Sequence, residues 1–239
     1  MNQVQTKMKQ LRLHGMSIRW QALVETRKQN ELSLSQGIEL LLQSEQEQRD
    51  NNRFDRLRKQ AGFRYQASVV EINYDAARGI NKGQIADLAT AEYLEKGESV
   101  LITGATGCGK SFLASALGHQ ACMQGYKVRY YNMQKLLIKT KMARIDGSVF
   151  KLLNQIAKAD LLILDDFGLM HLEKQQQLDF MEIIEDRHAR SALIIVSQLP
   201  VANWFHIIGE ETIADAILDR LVHTSHRIEL KGESLRKRM

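Results

Sequence analysis

The stretch SVLITGATGCGKSFLASALG, Ser99 to Gly118, decides the fold. It opens on a short β-rich run, SVLIT, turns through a glycine-rich loop and continues into the helix-forming run SFLASALGHQACMQG. The loop Gly104-Ala105-Thr106-Gly107-Cys108-Gly109-Lys110-Ser111 fits the pattern GxxxxGK[ST] at every fixed position, with a strand before it and a helix after. Its glycines let the backbone wrap with N–H groups inward, and the helix N-terminus adds positive potential. That combination suits the phosphates of a nucleotide such as ATP. Lys110 is placed to reach the β- and γ-phosphates, and the Ser111 hydroxyl to bind Mg²⁺. The candidate cofactor-binding residues are therefore Gly104 through Ser111, with Phe112 following. Cys108 fills a variable position, where its backbone matters more than its thiol.

A second stretch, LLILDDFG at 161–168, runs an apolar strand into two adjacent aspartates. Alone, such a pair would raise each other's pKa; beside a divalent cation both charges are tolerable. Asp165 is the candidate Mg²⁺ ligand with Ser111, and Asp166 the candidate for orienting or deprotonating the attacking water. A third polar strand end follows ALIIV at Ser197-Gln198. Gln198 is the preferred γ-phosphate or water contact, and Ser197 the second choice. In AILDRLVHTSHRIEL, Arg220 lies on a helix before the last strand. It could reach a neighbouring subunit's γ-phosphate, or pair locally with Asp215 or Asp219.

The flanking pattern alternates in the same way. Strands are expected at 127–132, 161–165, 192–197 and 226–230, and helices at 133–144, 148–158, 173–190 and 212–222. Apolar strands alternating with helices predict an α/β fold, a mainly parallel sheet flanked by helices. Residues 1–60 read as helical, with apolar residues at helical spacing and no proline. Residues 61–98 are turn-rich, and the expected division is a small all-helical domain at 1–65 and an ATPase domain at 66–239.

The charge divides along the same line. Residues 1–65 hold 12 Lys and Arg against 7 Asp and Glu, which accounts for the entire formal charge of +5. Arg49, Arg53, Arg56 and Lys59 recur every three or four residues, lining one helix face as a phosphate backbone would require, or as a plain solvated face. Cys108 and Cys122 form no disulfide framework, which fits a reducing compartment and a cytoplasmic location. No apolar run reaches membrane-span length, and the start MNQVQTKMKQLRLHG lacks a secretory signal. The pairs His119/Cys122 and His223/His226 are too few to make a metal site, and ordinary packing or surface roles are expected of them.

With these elements in order, the chain resembles an AAA+ ATPase of the initiator and helicase-loader clade, and more narrowly the IstB family of transposition helpers. The resemblance rests on GATGCGKSFLASALG, LLILDDFGL, IEDRHARSALIIVSQLPVANW and IADAILDRLVHTSHRIELKGESLRKR. It implies ATP bound at subunit boundaries, nucleotide-dependent homo-oligomers on duplex DNA, and recruitment or stimulation of a cognate transposase. A replicative helicase loader is the alternative on the same core. The resemblance also assigns assembly and DNA contact to the helices at 133–158, with Lys135, Lys139, Lys141 and Arg144 as candidates. Many AAA+ proteins carry Glu where this chain has Asp166, a carboxylate withdrawn by about 1.5 Å; slow, partner-stimulated hydrolysis is expected. Nine residues follow the last strand, Lys231 to Met239, too few for the helical lid usual after this core, so the lid is expected to be absent. The tail Arg236-Lys237-Arg238 is expected to face solvent or DNA.

Overall fold

β1 (Ser99–Gly104), β2 (Val128–Asn132), β3 (Leu161–Phe167), β4 (Ala192–Ser197) and β5 (Ser225–Leu230) form one parallel sheet in the order β2-β3-β4-β1-β5. The structure is a computed structural model and describes residues 3–235. These divide into two compact units, with the boundary between Arg56 and Leu57.

The helical unit contains α1 (Gln3–Gln10), α2 (His14–Glu25) and the first part of α3 (Leu34–Ala61). Leu13, the residue capping α2, makes no side-chain cap. Glu45 on α3 supplies it instead: Oε2 accepts the Gly15 N–H at 2.8 Å and the Met16 N–H at 3.2 Å. A carboxylate there satisfies orphan donors and suits the positive end of the helix. The contact demands glycine at 15, because a Cβ would fall 2.2 Å from the Ser44 carbonyl oxygen. Burial opposes the charge on Glu45, but hydrogen bonds from Arg49, Met16 and Gly15 outweigh it and hold the carboxyl below its ordinary range.

The sheet belongs to the second unit, as do α4 (Lys82–Ala89), α5 (Glu92–Glu95), α6 (Lys110–Met123), α7 (Met133–Ile145), α8 (Val149–Ala157), α9 (Lys174–Arg187), α10 (Trp204–Ile208) and α11 (Glu211–Val222). β3 and β4 are buried almost throughout, as expected of parallel strands covered on both faces. Alternate residues Leu162, Leu164, Leu193 and Ile195 join α7, α8, α9 and α11 in one apolar cluster. Trp204, fully buried, packs against Phe167 with the rings tilted and their centroids 4.8 Å apart, and anchors α10, a helix the sequence pattern did not reveal. The turn-rich segment also holds more order than its glycines suggested, since α4 and α5 both lie in it.

Inside the core, Arg187 donates to the carbonyls of Ile156, Ala159, Asp160 and Ala192, tying α8 and α9 to the start of β4. Burial lowers its pKa to about 10. Among the described residues no α-helix follows β5, and none is long and apolar enough to cross a membrane. The basic residues Arg236, Lys237 and Arg238 lie outside the described residues.

Candidate nucleotide site

The glycine-rich loop joins β1 to α6 at the C-terminal edge of the sheet, where parallel α/β folds bind ligands. Gly107 takes φ +82°, and a Cβ there would lie 2.1 Å from Ser234 Oγ. Three groups hold the loop. The Arg78 guanidinium donates to the Cys108 carbonyl, the Leu235 N–H donates to the Gly107 carbonyl at 3.0 Å, and Lys110 Nζ donates to the Ala105 carbonyl at 2.8 Å. Cys108 is fully buried and is not among the cleft-lining residues, nor are Gly104 and Ala105.

β3 delivers the carboxylates through an irregularity. Its register with β4 shifts between Leu164 and Phe167, and Asp166 adopts φ +60°. A bulge re-aims side chains, and a non-glycine residue in this region costs about 1–3 kcal/mol. Asp165 stays on the buried side at 0% exposure. Its Oδ1 accepts from Ser111 Oγ at 3.0 Å and from the Asp166 N–H at 2.9 Å, while Oδ2 accepts from the Tyr130 hydroxyl. Burial first, and then the hydrogen bond to Asp165, push the Tyr130 phenol up, so it remains a donor. Asp166 is turned toward the cleft, where its Oδ2 accepts from Asn132 Nδ2 at 2.8 Å and from Arg64 Nη1 at 3.1 Å. Arg64 also lies 3.6 Å from Asp165 Oδ2. Burial works against the Arg64 charge, but Tyr65, Asp166 and Asp165 outweigh it and raise its pKa.

These groups border a cleft of about 550 Å³, lined by Thr106, Gly107, Gly109, Lys110, Ser111 and Phe112 from the loop, by Asp166 and Gln198, and by Arg64, Leu169 and Leu235. That volume falls in the usual range for small-molecule sites. Gln198 Oε1 accepts from Thr106 Oγ1 at 2.7 Å, bridging the β4 end and the loop. Ser197 is buried instead, donating to the Phe167 carbonyl at 2.8 Å and accepting the Leu199 N–H at 3.0 Å. Arg220 is not among the cleft-lining residues. Its guanidinium donates to the Ala216 carbonyl at 2.8 Å, while Asp219 pairs with His223.

Sequence reasoning missed Arg64, Tyr130 and Asn132. Asn132 carried a signal, since it ends the strand KVRYYN as Asp165 ends its own, and the two are register partners. Arg64 carried none. It is placed by its neighbours: Phe63 stacks on His119 at 4.3 Å, and His119 Nε2 lies 3.2 Å from the Tyr65 carbonyl oxygen.

The basic candidates are scattered. Arg49, Arg53, Arg56 and Lys59 are exposed on α3, with Arg49 Nε donating to Glu45 at 2.8 Å. On α7, Lys135, Lys139 and Lys141 are exposed; Lys139 sits 5.6 Å over the Tyr131 ring and Lys141 3.6 Å from Glu173. Arg144 departs from the expectation of a free phosphate contact. Its guanidinium grips Asp179, a carboxylate only 2% exposed, through Nε at 3.0 Å and through Nη2.

Comparison with known proteins agrees with this architecture. The chain is 39% identical to an insertion-sequence ATP-binding protein, y4pL of Sinorhizobium fredii, over 97% of this chain and 94% of that one. The solved structure of DnaI superposes with TM-score 0.60 at 20% identity, covering 70% of this chain and 92% of that one. The DnaC helicase loader superposes with TM-score 0.54 at 20% identity, covering 66% and 96%. At that identity the two structures speak for the fold alone, which is that of an AAA+ core. The profile of the IstB-like ATP binding protein family matches residues 6–239, and the chain belongs to that family.

Proposed function

We propose that the protein is an ATPase that binds Mg²⁺–ATP in this cleft, assembles as an oligomer on duplex DNA in the triphosphate state, and recruits or stimulates a transposase at the target site. The observation that carries the reading is the meeting of the loop and the β3 end: Ser111 Oγ stands 3.0 Å from Asp165 Oδ1 at the mouth of the Lys110 loop. The donor set suits Mg²⁺. Both ligand atoms are hard oxygens, and among the described residues the two carboxylates pair with one cation, Arg64, which leaves net negative charge on the three groups. Among the described residues no cluster of three His, Cys, Asp or Glu forms a self-sufficient metal cage. That favours a cation that keeps waters and takes phosphate oxygens as ligands, as Mg²⁺ does. When bound, Mg²⁺ would neutralise charge on the phosphates.

The chain's own residues then divide the work. The loop and Lys110 bind and orient the phosphates. Asp166 holds the attacking water and accepts its proton, with its carboxylate fixed by Asn132 and Arg64. Gln198, tethered to Thr106, stands where it can report on the γ-phosphate. Arg220, outside its own cleft, supplies charge to a neighbour's site. Lys135, Lys139 and Lys141, with the α3 cations, contact DNA phosphates without reading sequence. The transposition role rests on the relatives, which are insertion-sequence proteins. The resemblance to a helicase loader supports the other reading, and a pull-down against transposase and replicative helicase separates the two.

Sizing the protein with duplex DNA tests the switch. Large DNA-dependent assemblies are expected with a non-hydrolysable ATP analogue and not with ADP. A monomer in both conditions overturns the reading.

A further inference from the structure

Among the described residues, Arg64 is the one cleft-lining cation outside the phosphate loop, and its placement is built. Phe63 before it is stacked on His119, and the Tyr65 carbonyl after it meets the same ring's Nε2 at 3.2 Å. The Arg64 guanidinium lies 5.5 Å over the Tyr65 ring. Between these anchors it reaches across to β3, 102 positions along the chain, and contacts both carboxylates. The two contacts are unequal. Asp166 receives a hydrogen bond at 3.1 Å, whereas Asp165 lies 3.6 Å away and has Ser111, Tyr130 and the Asp166 N–H as closer partners.

We infer that Arg64 is a positioning residue of the nucleotide site: it offsets part of the charge of the Asp165–Asp166 pair while no divalent cation is bound, and it cedes Asp165 but keeps Asp166 when a triphosphate arrives with its cation. This rests on the reading of the cleft as a Mg²⁺–ATP site. The charges explain the exchange. Without Arg64, two bare carboxylates would face the triphosphate whenever the metal is missing, and like charges a few ångströms apart repel strongly at low dielectric. With the cation present, Asp165 is compensated without Arg64, and the shorter bond to Asp166 persists. Because Arg64 follows α3 by only three positions, the exchange acts directly on the segment leading out of that helix.

The test is calorimetric binding of a non-hydrolysable ATP analogue to the full chain, in Mg²⁺ and in EDTA, for wild type, Arg64→Gln and Arg64→Lys. Arg64→Gln removes the charge and shortens the reach by two bonds while keeping a polar amide, whereas Arg64→Lys keeps the charge and most of the reach. The affinity of Arg64→Gln in EDTA is expected to fall by about tenfold, the scale of one charge-assisted hydrogen bond. Its affinity in Mg²⁺ should stay within about twofold of wild type, and Arg64→Lys should restore most of the EDTA loss. Equal losses in both conditions would mean an ordinary phosphate contact or a folding defect, and affinities unchanged in both conditions would mean no role; either overturns the inference. Wild-type protein that binds the analogue in neither condition sinks the reading of the cleft itself.

Discussion

At the end of β3, two carboxylates, a hydroxyl, a phenol and a guanidinium meet within hydrogen-bonding reach, whereas along α7 four cations stand apart on separate neighbours or in solvent. The difference lies in coupling. At β3 each group fixes the orientation of the next through a hydrogen bond, so removing one disturbs its neighbours. On α7 the lysines act independently, and their effects should add. The two regions therefore call for different experiments: single substitutions at β3, and cumulative ones on α7.

The largest effect is expected at the loop that completes the β3 site. Lys110→Ala should weaken binding of an ATP analogue by at least about 100-fold, through loss of charge-assisted bonds to the phosphates. Calorimetry showing unaltered affinity would remove the loop from the site. Next comes Asp166→Asn, which leaves the binding groups in place but removes the base. Phosphate release should slow by about 100-fold, the low end for a general base, while analogue affinity changes less than about threefold. Turnover at the wild-type rate would mean that the shortened acid is not the water's partner.

Arg144 sharpens the contrast from within α7. Arg144→Ala leaves buried Asp179 with the Gln175 amide, at 3.0 Å, in place of a guanidinium, and should cost about 2 kcal/mol of stability. Lys139→Ala on the same helix should cost no more than about 0.5 kcal/mol. Chemical denaturation checks both, and equal costs would erase the distinction between an anchored cation and a solvated one. Smaller still, Lys135→Ala and Lys139→Ala should each weaken duplex binding a few-fold and lower the salt-dependence slope by about one. A slope indifferent to both changes would clear α7 of phosphate contact.

The same contrast explains what the sequence could disclose. The phosphate loop was legible because its geometry depends on glycines at fixed spacing, and the strands because parallel burial leaves continuous apolar runs. Asp165 followed from its place at the end of such a run. The Asp166 twist was not legible, since a bulge depends on the register with β4, and no residue near it is a glycine until Gly168. Arg64 was hidden for a related reason: its partners lie 102 positions away, and its placement depends on a ring stack between Phe63 and His119. On the basic faces, periodicity identified which residues share a side. The Glu45–Arg49 pair, four apart on one helix, is of the kind that spacing can expose, but spacing gave no hint that Arg144 meets Asp179, 35 positions away on another helix.

Glu45 carries the comparison into the helical unit, where it is a convergent anion of the β3 kind. Its folded pKa lies below the ordinary value of 4.5, because donors from Arg49, Met16 and Gly15 outweigh burial. The sign follows from linkage: the ionised form is favoured in the folded state, so its contribution is complete above pH 4.5 and is lost as the pH falls through the folded value. Acid should therefore loosen the packing of α2 on α3, and Glu45→Gln should remove that pH dependence while lowering stability at neutral pH. Fluorotryptophan NMR can follow this through Trp20, which lies on α2, and separately from Trp204 in the core. The expected shift in the Trp20 transition is small, since the Arg49 end of the pair is 62% exposed and screened by water. Coincident acid transitions at Trp20 and Trp204, unchanged by Glu45→Gln, would show that Glu45 serves only as a cap and that its charge has no influence on where the unit opens.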